Sequence, residues 1–200
     1  MNAIEIKNLS KHYAGFSIEN LNLTLPRGCI MGLVGENGAG KSTTIRMILE
    51  LTKPDTGEIT VFGQKLRQKR KQKIGGVLDE PGYPTCMTAA QIGRMLAGIY
   101  HNWEQETYAD YLTKLRIPEN KPFRDFSKGM KMKLSLAAAL SHGAELLILD
   151  EATSGLDPVM RDEILDIFND FTRNEQHSVL ISSHIVSDLE KICDYIAFLH

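Results

Sequence analysis

The run CIMGLVGENGAGKSTTIRMIL, residues 29–49, decides the fold. It opens on a continuous apolar stretch that reads as a buried strand and closes on TTIRMIL, which has the spacing and propensity of a helix. Between them GENGAGKS, residues 35–42, fits GxxxxGK[ST]. Glycines at 35, 38 and 40 let successive backbone N–H groups face inward as an anion nest, and the helix N-terminus adds partial positive charge. The expected occupant is a phosphate group. Lys41 then reaches the terminal phosphates as a point charge, the Ser42 hydroxyl ligates a bridging Mg²⁺, and Thr43 caps or contacts a phosphate. An ordinary strand-to-helix turn accounts for the glycines but not for Lys and Ser at those positions.

Upstream, AIEIKNLSKHY and FSIENLNLTL alternate apolar with polar residues and read as half-buried antiparallel strands. Downstream, KPDTGEITVFG reads as a turn and a short strand, and KIGGVL as a buried strand. From Thr88 the spacing becomes helical. Ile92, Met95, Leu96 and Ile99 share one face, and Tyr108, Tyr111, Leu112 and Leu115 the face of a second helix, for which Asn102 and Gln105 resemble a capping box. A third helix is predicted over about 128–140. LLILD and SVLISSH read as buried strands around another helix, with Asp157 as its N-cap and Pro158 first in it. A short helix and the strand YIAFL follow. This alternation predicts an α/β fold with a mostly parallel core over about 1–83 and 144–200, an N-terminal antiparallel β part, and a helical insertion over about 84–143.

Hydrophobic residues at 42% and charged residues at 24% of 200 exclude disorder and collagen-like repeats. Lys+Arg 23 against Asp+Glu 25 leaves a net charge of -2, so no nucleic-acid partner is expected. The most apolar runs, LSLAAAL and LLIL, fall short of the ~20 residues that cross a bilayer. MNAIEIKNLSKHY lacks the layout of a secretory signal. A cytoplasmic chain without membrane insertion is expected. Cys29, Cys86 and Cys193 are odd in number and widely spaced, which favours buried reduced thiols over zinc or disulfides.

LLILDE, residues 146–151, delivers two carboxylates to the carboxyl end of a buried strand, where open parallel sheets bind ligands. A solvated acidic turn is the commoner fate of such a pair. Beside a phosphate loop, Asp150 instead enters the Mg²⁺ shell and Glu151 polarises an attacking water.

The order of motifs resembles the ATP-binding cassette (ABC) ATPases over essentially the whole chain. After GENGAGKS come FSKGM at 126–130, similar to the family's signature LSGGQ, then LLILDE, then ATSGLDP at 152–158. His184, after SVLISS, matches the family's switch histidine. Tyr13 lies where the family places an aromatic that stacks on adenine, and equally suits the core of a strand. GTPases fit worse, since ENKPF has Phe123 where NKxD needs its Asp.

The resemblance implies a P-loop NTPase core of the ABC ATPase type that binds ATP and Mg²⁺ and hydrolyses ATP. It assigns Gly35, Asn37, Gly38, Ala39, Gly40, Lys41, Ser42 and Thr43 to the phosphates, Tyr13 to adenine, Glu151 and His184 to catalysis, and Ser42, Asp79 and Asp150 to the metal. It also implies a head-to-tail dimer with a second cassette, identical or different. There Ser127, Lys128, Gly129 and Met130 meet the partner's nucleotide and Asp157 crosses the interface. FSKGMKMK also reads as a helix cap with a solvated basic face. The family usually ends the strand before the insertion in glutamine; IGGVLDEP puts Asp79 there, with Glu80 beside it as the alternative and a turn before Pro81 as the plain reading. The variant signature resembles the subclass that powers exporters of drugs, peptides, lipids or polysaccharides. The implied function is the ATPase subunit of an ABC transporter, driving a separate permease from the cytoplasmic face of the membrane. The alternative is a non-transport ABC ATPase acting on DNA or ribosomes, for which neither a coiled-coil insertion nor a second cassette appears. The chain stops within YIAFLH where the family's cassettes continue, so a truncated C-terminus is expected.

Overall fold

Alternation interrupted by register shifts seats the first sheet. In the computed structural model, which describes residues 1–66, 71–79, 82–154 and 156–200, β1 (Asn2–Tyr13) and β2 (Phe16–Pro26) form an antiparallel hairpin. Its inward residues Ile4, Ile6, Ile18 and Leu25 are buried, as a one-sided period of two requires. The apolar run that follows becomes β3 (Ile30–Gly35) and feeds α1 (Lys41–Ile48). β4 (Thr56–Val61) returns to pair with the other edge of β1, which gives the order β2-β1-β4.

The second sheet is parallel throughout. It takes β5 (Ile74–Val77), then, after the helices α2 (Ala89–Ala97), α3 (Gln105–Lys114) and α4 (Lys128–Leu140), β6 (Leu146–Asp150). Helix α5 (Pro158–Thr172), β7 (Ser178–Ser183), the single-turn α6 (Val186–Leu189) and β8 (Tyr195–Leu199) complete it. The spatial order is β5-β6-β7-β3-β8. Both faces are covered, which is why the central strands read as unbroken apolar runs. Leu147, Leu149, Val179 and Ile181 pack towards the helices α2 to α5, whereas Leu146, Ile148, Leu180 and Leu33 pack towards α1 and the antiparallel sheet. Each fully buried aliphatic here stabilises the fold by about 1.5–3 kcal/mol. Glu145, just before β6, takes both Arg27 and Lys73 and so ties the ends of β2 and β5 to the sheet.

Helix α2 crosses α3 closely. A Cβ on Gly93 would lie 2.5 Å from the Tyr108 ring, and the Tyr108 hydroxyl donates to the Ala89 carbonyl at 2.9 Å. Three expectations are corrected. The capping box stands at Thr88 and Gln91, on α2. At the start of α3, Gln105 is instead engaged by the Trp103 indole N–H at 3.0 Å, and Glu104 is the N-cap residue. Ile99 falls beyond the end of α2 and is exposed. The cysteines are free thiols, but none is buried: Cys29 and Cys193 are half-buried and Cys86 is exposed. Among the described residues no helix is long and apolar enough to cross a membrane.

Candidate active site

Because β3, β6 and β7 run parallel and adjacent, the loops leaving their carboxyl ends converge. They border a cavity of about 670 Å³. On one side stands the glycine loop, with Gly38 at φ 91 and Gly40 at φ 99, left-handed conformations that side chains resist. At Gly40 a Cβ would also come within 2.9 Å of Phe16 and Ile18, so the loop closes against the hairpin only with glycine there. Gly40 caps α1 without a side-chain acceptor. The first-turn N–H groups of α1 and its dipole are left to an anion. Lys41 is almost fully buried, and its ammonium donates to the carbonyls of Gly35 at 2.7 Å and Glu36 at 3.1 Å.

Opposite lies the acidic end of β6. Asp150 is buried, and its Oδ1 accepts from the hydroxyls of Ser42 at 3.0 Å and Ser182 at 2.7 Å. Glu151 takes a left-handed backbone, φ 54, and its N–H donates to Ser182 Oγ at 3.0 Å. One of its oxygens stands 3.9 Å from the Lys41 ammonium. The other accepts from His184 Nδ1 at 2.7 Å. A carboxylate only accepts, so the ring proton sits on Nδ1. The hydroxyl of Ser183 accepts from the Ile185 N–H at 3.0 Å and shapes the turn that carries His184. A serine hydroxyl beside a buried carboxylate is a donor set suited to Mg²⁺, which binds through one or two carboxylates and completes its shell with phosphates and water.

Among the described residues, Asn37, Gly38, Gly40, Lys41, Ser42, Thr43, Asp79, Lys128, Glu151 and His184 line the cavity. Gly35, Ala39 and Asp150 are not among the lining residues, though Asp150 bonds to Ser42, which is. Lys128 reaches it within the same chain, with its ammonium 2.5 Å from Asp79 Oδ1. Ser127 caps α4 by accepting from the Met130 N–H at 3.3 Å, and Asp157 caps α5 by accepting from the Met160 N–H at 3.0 Å. A Cβ on Gly129 would lie 3.0 Å from Leu156, so the start of α4 rests on the loop that holds Asp157. Glu80, the alternative to Asp79, lies outside the described residues, as do Pro81 and Gly155.

Four lining or bracing residues escaped the sequence reading: Gly15, Phe16, Ser154 and Ser182. Phe16, not Tyr13, is the aromatic that lines the cavity. Tyr13 is exposed, 6.3 Å ring to ring from Phe16. Ser182 had a legible signal, since a polar residue ending an apolar buried strand needs a partner.

A family model described as ABC transporter matches residues 18–154. The bacitracin transport ATP-binding protein BcrA of Bacillus licheniformis is 36% identical over 204 residues, which cover 98% of this chain and 66% of that one. The lantibiotic transport ATP-binding protein SrtF of Streptococcus pyogenes is 33% identical, over 98% of this chain and 86% of that one. This chain thus spans just under two thirds of the bacitracin relative. A solved ATP-binding subunit of an ABC transporter superposes with a TM-score of 0.86 at 30% identity, over 99% of this chain and 86% of that one.

Proposed function

The chain belongs to the ABC transporter family of ATP-binding proteins, and from that premise we propose that it binds MgATP in the cavity at the end of β3 and hydrolyses it to drive a separate membrane permease. The observation that carries this reading is the convergence on one cavity of a cationic phosphate loop and the Glu151–His184 pair. The terminal phosphates lie along the N–H groups of the glycine loop, and Lys41 exchanges two neutral carbonyl acceptors for phosphate oxygens, a stronger charge-assisted bond. Ser42 and Asp150 would hold Mg²⁺, which would supply charge neutralisation on the phosphates. Glu151 takes the proton of a water whose oxygen attacks the γ-phosphorus, while the bond to the β-phosphate oxygen breaks and ADP leaves. His184 orients Glu151 by donating from Nδ1 and leaves Nε2 as an acceptor for a water proton.

We read residues 84–143 as a helical insertion in a core of residues 1–83 and 144–200. A second cassette brings its own Ser127 and Gly129 to the γ-phosphate, and Asp157 faces it. The relatives are named for bacitracin and lantibiotic transport, which supports a transport role, and the variant signature FSKGM favours an exporter, with the cassette docked on the cytoplasmic side of its permease. Phosphate release from ATP in excess Mg²⁺ tests the enzymatic part. The chain is expected to turn over ATP and its Lys41→Ala variant to lose ATP binding; equal binding by the variant would remove the phosphate-loop assignment.

A further inference from the structure

One hydroxyl in the fold touches both acidic residues. Ser182, at the end of β7 and fully buried, donates to Asp150 Oδ1 at 2.7 Å and accepts from the Glu151 N–H at 3.0 Å. Its neighbour Ser183 serves a different purpose, accepting from the Ile185 N–H. From this bridging geometry we propose that Ser182 is a positioning residue. It sets the angle between the metal-side carboxylate and the water-activating carboxylate by holding the left-handed turn at Glu151.

Glu151 has φ 54, a conformation that a non-glycine residue keeps only when its surroundings enforce it. The Ser154 N–H holds the Glu151 carbonyl at 3.0 Å, and the contact from outside the turn is the hydrogen bond from the Glu151 N–H to Ser182, on the adjacent strand. That turn sends the Glu151 side chain to His184 Nδ1, 2.7 Å away. Asp150 Oδ1 is shared between Ser42 and Ser182. When Ser42 turns to a metal, Ser182 remains as the hydroxyl that fixes Asp150. Alanine at 182 leaves the strand, its pairing and the apolar packing in place, yet removes the donor to Asp150 and the acceptor for Glu151.

This inference rests on the ATPase reading, so the experiment separates the two. Turnover and ATP affinity are measured for the wild-type chain and for Ser182→Ala, Ser182→Cys and Ser182→Thr. Exchange of the Glu151 amide proton is followed by NMR in the nucleotide-free forms. The Ala and Cys variants are expected to lose about tenfold or more in kcat, the usual cost of removing such a supporting contact, with ATP affinity within about twofold. Thr keeps the hydroxyl and suits a strand, and is expected to recover most of the rate. The Glu151 amide should exchange faster in the Ala variant, whatever the turnover. Absence of turnover in the wild type defeats the ATPase reading and leaves the amide to decide for or against the bridge. Wild-type kcat in the Ala variant, or an unchanged Glu151 amide, overturns the role of Ser182.

Discussion

The Lys128 ammonium lies 2.5 Å from Asp79 Oδ1, tying the segment that leaves β5 to the first turn of α4 at the cavity bordered by the glycine loop. Both side chains are about half exposed, at 56% and 48%, so the pair adds little to stability. Its weight is electrostatic and local. Lys128 masks an anion that lines the cavity proposed above for the phosphates.

Removing the mask should therefore show in metal-free binding. Lys128→Ala is expected to weaken ATP in EDTA by about fivefold, the ~1 kcal/mol of a like-charge contact in water-like surroundings, and to weaken MgATP less. Adding Asp79→Asn should restore the EDTA affinity. Calorimetric titration of the single and double variants checks this, and additive effects would return Asp79 to a solvated turn.

Phe16 should matter more than Tyr13 for the base. Phe16 lines the cavity, whereas Tyr13 is exposed with the Lys11 ammonium 5.4 Å from its ring. Losing a stacked aromatic costs about 1–3 kcal/mol per base. Phe16→Ala is expected to weaken ATP at least about fivefold and Tyr13→Ala to leave it within about twofold, as read by fluorescent-nucleotide titration.

What was legible in the chain, and what was not, follows one physical line. Periodicity reports how a segment meets its own two faces. It located the hairpin, the fully buried strands and α4, and the Asp157–Pro158 pair marked the start of α5. Contacts between segments distant in sequence leave no such trace. Asn102 and Gln105 matched a capping box in sequence, yet the Trp103 indole N–H occupies Gln105 and the box forms instead at Thr88 and Gln91. Strand alternation likewise does not say which of Tyr13 and Phe16 the hairpin turns towards the cavity. The meeting of Lys128 with Asp79, 49 positions apart, and of Ser182 with Asp150 depends on the order β5-β6-β7-β3-β8.

Acid should destabilise the chain in two windows. His142 is buried, stacked 4.0 Å on Tyr100, with Nδ1 3.1 Å from the Gln72 carbonyl. Burial holds its pKa below the ordinary 6.5. The unfolded chain thus binds a proton first, and stability falls as pH drops below about 6.5. Asp55 follows lower down. The Lys11 ammonium and the His12 N–H hold its pKa at about 2 against an ordinary 3.8, so its contribution is lost as pH falls through that range. Urea midpoints at pH 7.5 and 5.5 should converge in His142→Asn, which keeps a donor for Gln72 and cannot titrate; an unchanged slope would relieve His142 of that role.

In the proposed function Glu151 activates water rather than holding nucleotide, and Glu151→Gln separates the two roles. The amide oxygen still accepts from His184 Nδ1, whose bond is 2.7 Å in the native chain, but the basicity is gone. ATP affinity and turnover of the variant are measured side by side in excess Mg²⁺. Affinity is expected within about threefold of wild type and kcat lower by about 100-fold or more. Undiminished turnover, or binding lost in step with it, would contradict the account.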